Sequence, residues 1–251
     1  MSNKTKLILA LLLLVSVVGG GSYLYSFMTG GNFMGMQFYR EDGDAPAKNI
    51  GQLDHKSSPY FPQLDFYNMK SEGNRIILSK FKTKQQVTGY TCGPAAASMV
   101  VEYFNGKPLH TELEMAKLMG TNNKTGTSTK QMAQYFKDIK WQVKSSADTK
   151  APQDYDAFIS FVKENLENKT PIIVENVDWG GHWRVIIGYD SMDSKNKGDD
   201  VLILADPYDT SDHKQDGYNV ESAERFYYMW FDAKLFKSGE RERQFVIAKP
   251  K

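Results

Sequence analysis

The chain has 251 residues, of which 41% are hydrophobic and 24% are charged. This much apolar surface excludes a disordered chain and predicts one folded domain or a closely joined pair. Lys and Arg number 31 against 30 Asp and Glu, so no strong positive field favours nucleic acid as a partner. A single cysteine, Cys92, excludes an intrachain disulfide and a cysteine-based metal cluster.

An uncharged, apolar segment follows two lysines near the N-terminus. Lys4 and Lys6 precede residues 7–28, which as a helix would span about 33 Å, enough for the core of a bilayer. The positive flank predicts a cytoplasmic N-terminus and a chain that continues outside the cytoplasm. We expect residues 1–31 to be an uncleaved signal anchor; the alternative is a cleaved signal peptide, and hence a secreted protein.

Residues 32–58 mix Gly, Asp, Lys and Pro without helical or strand periodicity. This composition is typical of a tether between an anchor and a domain. We therefore expect the folded domain to occupy residues 59–251.

The domain opens with a short strand signal at residues 75–81 and a polar loop at residues 85–91. After Cys92, Gly93 and Pro94 begin a segment whose apolar residues recur every three or four positions. This periodicity predicts a helix that ends at Gly106.

Three further helices are predicted after this one. Two begin with a capping box, in which Ser or Thr is followed three residues later by Glu or Gln, and the third has its apolar residues on one face. The signals are Thr111 with Glu114 for a helix to Met119, Ser128 with Gln131 for a helix to Ile139, and residues 154–166.

From Pro171 onward, short β-branched runs between turn residues replace the helical pattern. They predict strands at residues 172–177, 183–189, 201–205 and 245–248. Helices first and strands second indicate an α+β domain in which the N-terminal helices pack on a mainly antiparallel sheet.

Cys92 lies at the start of the first predicted helix. A helix N-terminus supplies partial positive charge and free N–H groups, which favour a reactive thiol. The alternative is a structural cysteine that behaves as a small buried hydrophobe. Position alone leaves both interpretations open.

Three other residues can complete a nucleophilic site around Cys92. His182 follows two glycines and opens an apolar strand, where it can face a cleft and act as a base. Asp206 ends the next strand and can orient the imidazole. Gln86, six residues before the cysteine, can donate an amide hydrogen bond to an oxyanion. Taken singly, each residue also has a structural interpretation. His182 can be a core histidine, Asp206 can belong to an Asp-Pro turn, and Gln86 can be a solvated loop glutamine.

Together these residues carry a resemblance to a known family. The chain resembles the bacteriocin-processing, double-glycine cysteine peptidases of the papain-like clan over roughly residues 85–207. The motifs are Gln86-x5-Cys92-Gly93-Pro94-Ala95-Ala96, Gly126-Thr127-Ser128, Gly181-His182-Trp183 and Ala205-Asp206-Pro207. The resemblance implies a papain-like cysteine peptidase fold. It also implies Cys92 as nucleophile, His182 as base, Asp206 as its orienting group, and Gln86, not Gln85, as oxyanion donor.

The sequence thus predicts a thiol protease that hydrolyses a peptide or amide bond of a peptide or protein substrate through an acyl-enzyme, outside the cytoplasm. Two alternatives stay open: an inactive peptide-binding module of the same fold, and a cell-wall amidase or transpeptidase. No cofactor or metal site is predicted. The acidic stretch 206–216 lacks EF-hand spacing and is expected to be a solvated loop.

Overall fold

The computed structural model of the protein describes residues 46–48, 54–233 and 236–251. The predicted anchor at residues 1–31 lies outside these ranges, as does most of the predicted tether at residues 32–58. No helix within the described ranges combines the length and the apolar character that a membrane crossing requires.

Helices and strands follow the order that the sequence predicts, with a helical first half and a strand-rich second half. The elements of the described residues are β1 (Arg75–Ile77), α1 (Cys92–Asn105), α2 (Glu112–Met119), α3 (Thr129–Asp138), β2 (Gln142–Ser145), α4 (Tyr155–Glu167), β3 (Ile172–Asn176), β4 (His182–Asp190), β5 (Val201–Ala205), β6 (Tyr218–Ser222), α5 (Ala223–Tyr228) and β7 (Phe245–Lys249).

The strands form one sheet in the order β2-β7-β3-β4-β5-β6, and β1 pairs with β4. Every strand pairing in it is antiparallel. The predicted α+β class with an antiparallel sheet is therefore confirmed. The strands β2 and β6 and the short helix α5 were not predicted.

Local sequence signals account for the helix ends. The hydroxyls of Thr111 and Ser128 accept hydrogen bonds from the backbone N–H groups three residues later, and both capping boxes are complete. Helix α1 ends at Gly106, whose φ of 75° lies in the left-handed region that favours glycine. Asp154 caps α4 through the N–H of Ala157.

The predicted strand at residues 75–81 is shorter than expected. Only residues 75–77 pair regularly, with residues 188–190 of β4. The chain then turns at Lys80, which has a φ of 62°. The N–H of Leu78 still donates to the Ile187 carbonyl at 2.8 Å, and the apolar character of Leu78 and Phe81 reflects burial in the core.

The pairing of β4 with β5 sets the position of the predicted site. Val185 lies opposite Ala205, so the beginning of β4 and the end of β5 meet at one edge of the sheet. His182 is the first residue of β4 and Asp206 directly follows β5. Helix α1 contacts β4, which brings Cys92 to the same edge.

Candidate active site

Cys92 is the first residue of α1 and is 5% exposed. The residue before it, Thr91, makes no side-chain capping bond to the helix. Its hydroxyl instead donates to the carboxylate of Glu112 at 2.5 Å. The first N–H groups of a helix have no intrahelical acceptor. In α1 these are the N–H groups of Cys92 and Gly93, because Pro94 has none and Ala95 already donates to the Thr91 carbonyl.

Gly93 allows the start of α1 to approach a neighbouring loop. A Cβ atom at this position would lie 2.7 Å from the hydroxyl oxygen of Thr127, closer than real contacts allow. Trp183 fixes the same loop by donating its ring N–H to the Thr127 carbonyl at 2.8 Å. The glycine after Cys92 is therefore a packing requirement.

The two adjacent glutamines of the loop before α1 have different surroundings. Gln86 lines a small cavity together with Cys92 and His182, and its Nε2 donates to the carbonyl of Thr88 at 2.7 Å. Its Oε1 is buried and has no hydrogen-bond partner in the described part of the chain. Gln85 bonds instead to the Asp206 loop: its Nε2 donates to the Asp206 carbonyl and its Oε1 accepts from the N–H of residue 209.

A buried carboxylate holds this loop against α1. Glu112 accepts hydrogen bonds from the backbone N–H of Val87 at 2.9 Å and from the hydroxyl of Thr91 at 2.5 Å. Burial raises the pKa of Glu112, and the bonds from Thr91 and Val87 oppose that rise. The side chain connects α2 to both ends of the segment between Gln86 and Cys92.

His182 and Asp206 form a buried pair. The Nε2 of the imidazole lies 2.7 Å from Oδ1 of the carboxylate, which also accepts from the backbone N–H of Tyr208 at 2.7 Å. Cys92 and His182 line the same cavity, and the thiol contributes to the raised pKa of the imidazole. Because Nε2 is occupied by Asp206, the nitrogen left for the thiol is Nδ1.

The pair is ionised in spite of its burial. Desolvation lowers the pKa of His182, but the charge and hydrogen bond of Asp206, with a smaller contribution from Cys92, raise it to about 9. Burial likewise raises the pKa of Asp206, and His182, Arg184 and the N–H of Tyr208 bring it below its usual value. An imidazolium facing a carboxylate is therefore the favoured state at neutral pH.

An arginine that the sequence analysis did not single out lies beside this pair. Arg184 is 1% exposed, and its Nη1 lies 2.9 Å from Glu221 and 3.8 Å from Asp206. The sequence did contain a signal for this arginine. Alternate residues of a strand share a face, so a charged residue two positions after His182 in a buried strand is expected to lie on the same face as His182.

Two aromatic rings line the cavity beside His182. Trp179 meets the imidazole edge-on, with ring centroids 4.9 Å apart, and contacts Tyr208 at 4.8 Å. The backbone of Trp179 has a φ of 51°, a strained conformation for a bulky residue. The tryptophan remains 38% exposed, so it forms part of the cavity rim.

The structure thus brings the four predicted site residues to one place: Gln86, Cys92 and His182 line one cavity, and Asp206 bonds His182. Of the other histidines, His55 and His213 contact each other, with ring centroids 5.0 Å apart. Sequence reasoning did not identify Arg184, Glu112 or Trp179.

The prediction of a solvated acidic loop at residues 206–216 is wrong for two of its aspartates. Asp206 and Asp209 are both buried. The Asp209 carboxylate accepts from the backbone N–H groups of Ser211 and Gly217. Burial, with the charges of Asp206 and Asp212, raises the pKa of Asp209 to about 8. Across the described residues, no group of three or more His, Cys, Asp or Glu side chains is arranged to hold a metal ion.

Two solved structures are similar to this chain. The peptidase domain of Streptococcus ComA, a bifunctional ABC transporter involved in a quorum sensing pathway, is 21% identical, with a TM-score of 0.46 over 68% of this chain and 99% of that domain. The Streptococcus mutans ComA peptidase domain in complex with a small molecule inhibitor is 19% identical, with a TM-score of 0.39. The match covers 68% of this chain and 100% of that domain. No curated protein matches the chain.

The family model of the "Peptidase_C39 like family" matches residues 59–233, more than half of the chain. This range contains the four predicted site residues and confirms the resemblance that their motifs carry. The chain belongs to the Peptidase_C39 like family.

Proposed function

We propose that the chain is a papain-like cysteine peptidase that hydrolyses a peptide or amide bond through Cys92, His182 and Asp206, with Gln86 as oxyanion donor. The observation that carries the proposal is the buried His182–Asp206 hydrogen bond of 2.7 Å beside Cys92, which lines the same cavity as His182. Acyl transfer requires a nucleophile, a base and an orienting group within hydrogen-bond reach of one another.

The first half-reaction forms a thioester. The cycle starts from the Cys92 thiolate beside the His182 imidazolium. The thiolate sulfur bonds to the substrate carbonyl carbon while the electron pair of the C=O bond moves to oxygen. That oxyanion accepts from the backbone N–H of Cys92 and from the Nε2–H of Gln86 that is not bonded to Thr88. As the C=O bond re-forms, the C–N bond breaks and the leaving amine takes the proton from His182.

The second half-reaction releases the acid. Neutral His182 accepts a proton from water as the water oxygen bonds to the thioester carbon, and the same donors hold the new oxyanion. The C–S bond then breaks and returns the thiolate beside a protonated imidazole. Asp206 supports this cycle because it stabilises the imidazolium in both half-reactions.

The test is cleavage of a diverse peptide pool by the full chain, with products identified by mass spectrometry. We expect cleavage by the wild type and none by Cys92→Ala, with His182→Ala as the matched variant for the base. In parallel, iodoacetamide should alkylate Cys92 in the folded protein at pH 7, and more slowly after His182→Ala. Labelling only after unfolding would identify a structural thiol and contradict the proposal.

The same experiment separates the alternatives. Peptides that bind but are not cleaved would indicate an inactive binding module. Products joined to an added amine would indicate a transpeptidase, because an acyl-enzyme can be resolved by an amine as well as by water. Activity restricted to cell-wall fragments would indicate an amidase.

We also propose that residues 7–28 anchor the chain in a membrane with the domain outside the cytoplasm, or that the domain is secreted after cleavage. The lysines before that segment support this orientation. A reporter that is active only outside the cytoplasm, fused after Lys251, should be active. Activity of a cytoplasm-only reporter at the same position would overturn the orientation.

A further inference from the structure

Arg184 is a buried guanidinium surrounded by carboxylates. Its Nη1 lies 2.9 Å from Oε2 of Glu221 and 3.8 Å from Oδ2 of Asp206, and its Nη2 lies 3.6 Å from Oδ2 of Asp178. Asp178 belongs to the turn before β4, and Glu221 belongs to β6. One cation therefore connects three elements at the edge of the sheet that carries His182.

Hydrogen bonding does not account for this burial. Glu221 accepts a bond from Arg184, but Nε and Nη2 have no hydrogen-bond partner among the described residues. Taking a guanidinium out of water costs several kcal/mol, and a buried ion pair is often no more stabilising than apolar residues of the same volume. Stability alone gives little reason for an arginine at this position, which lies beside the pair formed by His182 and Asp206.

We propose that Arg184 is a positioning residue, which keeps the Asp206 carboxylate ionised and turned toward His182. The proposal rests on the function proposed above. The two oxygens of Asp206 have separate partners: Oδ1 bonds His182 and the N–H of Tyr208, whereas Oδ2 faces Arg184. Contacts on both sides fix the plane of the carboxylate.

The charge of Arg184 matters because Asp206 is buried. Burial favours the neutral acid, and a neutral acid would stabilise an imidazolium far less. A cation beside Asp206 favours its ionised form. The ionisable groups that surround the pair are Cys92 of α1, Asp178 in the turn before β4, Arg184 of β4, Asp209 in the loop after β5, and Glu221 of β6.

Two variants change the local charge in opposite directions. Arg184→Met removes a positive charge but leaves His182 and the N–H of Tyr208 beside Asp206, which keep it ionised at neutral pH. Protonation of the carboxylate and of the imidazole both become more favourable, so the two pH midpoints should rise by about half a unit or more. Glu221→Gln removes a negative charge next to Arg184, so the same midpoints should fall. Arg184→Lys keeps the charge and should leave them near the wild-type values.

The measurements are the pH dependence of Cys92 alkylation by iodoacetamide and the pH titration of the His182 ring by NMR, both on the full chain. The His182 signals are identified by their absence in His182→Ala. Glu221 is partly exposed, so Glu221→Gln keeps the test decisive even if Arg184→Met fails to fold. Opposite shifts in the two variants would support the proposal.

Each contrary result has its own meaning. If alkylation depends on His182 but neither variant moves a midpoint, Arg184 has only a structural role and the inference is overturned. If the His182 midpoint shifts as expected but Cys92 alkylation is independent of His182, the proposed peptidase mechanism fails while the effect of Arg184 on the pair stands.

Discussion

The cavity has two walls built on different physical principles. The loop wall, residues 85–92, is held by hydrogen bonds between groups close in sequence and by Glu112. On the sheet wall, His182 lines the cavity and is held by the buried charges of Asp206 and Arg184, which lie where two antiparallel strands meet. Changes to the sheet wall should therefore shift the pH dependence of activity, whereas changes to the two glutamines of the loop wall should leave it as in the wild type.

The sheet wall also shows what decides the charge of a buried carboxylate. Asp206 and Asp209 are three residues apart and both almost fully buried, with 3% and 0% of their surface exposed. Cations lower the pKa of Asp206, whereas burial and neighbouring carboxylates raise that of Asp209 to about 8. A nearby positive charge, and not the degree of burial, separates them.

The largest effect should come from removing the carboxylate of the sheet wall. Asp206→Ala leaves the His182 ring without its orienting partner and without a charge to stabilise the imidazolium. We expect kcat to fall about a thousandfold or more with little change in KM. Steady-state kinetics on a peptide found by the pool experiment measures this split.

Asp206→Asn is the matched control. Its amide oxygen can still accept from Nε2–H of His182, so orientation is retained and charge is lost. The loss of kcat should be smaller than for Asp206→Ala, and the alkaline limb of the pH profile should move to lower pH, since the charge that raises the pKa of His182 is gone. If Asp206→Ala kept the wild-type kcat, Asp206 would have no role in the mechanism.

The next largest effect should come from the loop wall. Gln86→Ala deletes the side-chain donor to the oxyanion, whose bond is strongest when the carbonyl oxygen carries charge. We expect kcat to fall roughly a hundred- to a thousandfold, with KM nearly unchanged. In contrast to the Asp206 variants, the shape of the pH profile should stay that of the wild type.

Gln85→Ala is the control for register. Gln85 joins the two walls through the backbone of residues 206 and 209, so its loss should reduce stability by about 1 to 2 kcal/mol and change kcat only a few-fold. If Gln85→Ala lowered kcat about a hundredfold or more and Gln86→Ala lowered it only a few-fold, the oxyanion donor would be Gln85.

These walls also differ in how far the sequence predicts them. Capping boxes and the glycine after α1 fix the helices of the first half through contacts within a few residues. The contacts of Arg184 to Glu221, and the pairing of β2 with β7, join residues far apart in the chain. Residue types and periodicity do not say which strands pair or which side chain lies opposite Arg184, so the predicted site lacked the contacts of its arginine and the predicted sheet lacked two strands.

A smaller effect should appear in stability as a function of pH. The folded pKa of His182, about 9, lies above the unfolded value of 6.5, so the pair stabilises the fold fully below pH 6.5 and loses that contribution as pH rises through 9. We expect the difference in unfolding free energy between wild type and His182→Gln to shrink by roughly 2 to 3 kcal/mol between pH 6 and pH 10. Urea unfolding at both pH values measures the two unfolding free energies. If their difference were the same at pH 6 and pH 10, the pair would not titrate as stated.

The smallest effect should come from Glu112→Gln behind the loop wall. The folded pKa of Glu112 is raised, so its contribution to stability is greatest at low pH and declines as pH rises through the folded pKa. The amide oxygen of glutamine can accept from Val87 and Thr91 as the carboxylate does. We therefore expect stability at pH 7 to stay within about 1 kcal/mol of wild type and activity to be retained. Glu112→Ala leaves both donors unpaired and should cost about 1 to 3 kcal/mol and slow turnover through the displaced Gln86 loop. Equal damage in the two variants, measured by urea unfolding and kcat, would show that the charge of Glu112, and not its acceptor oxygen, holds the loop wall in place.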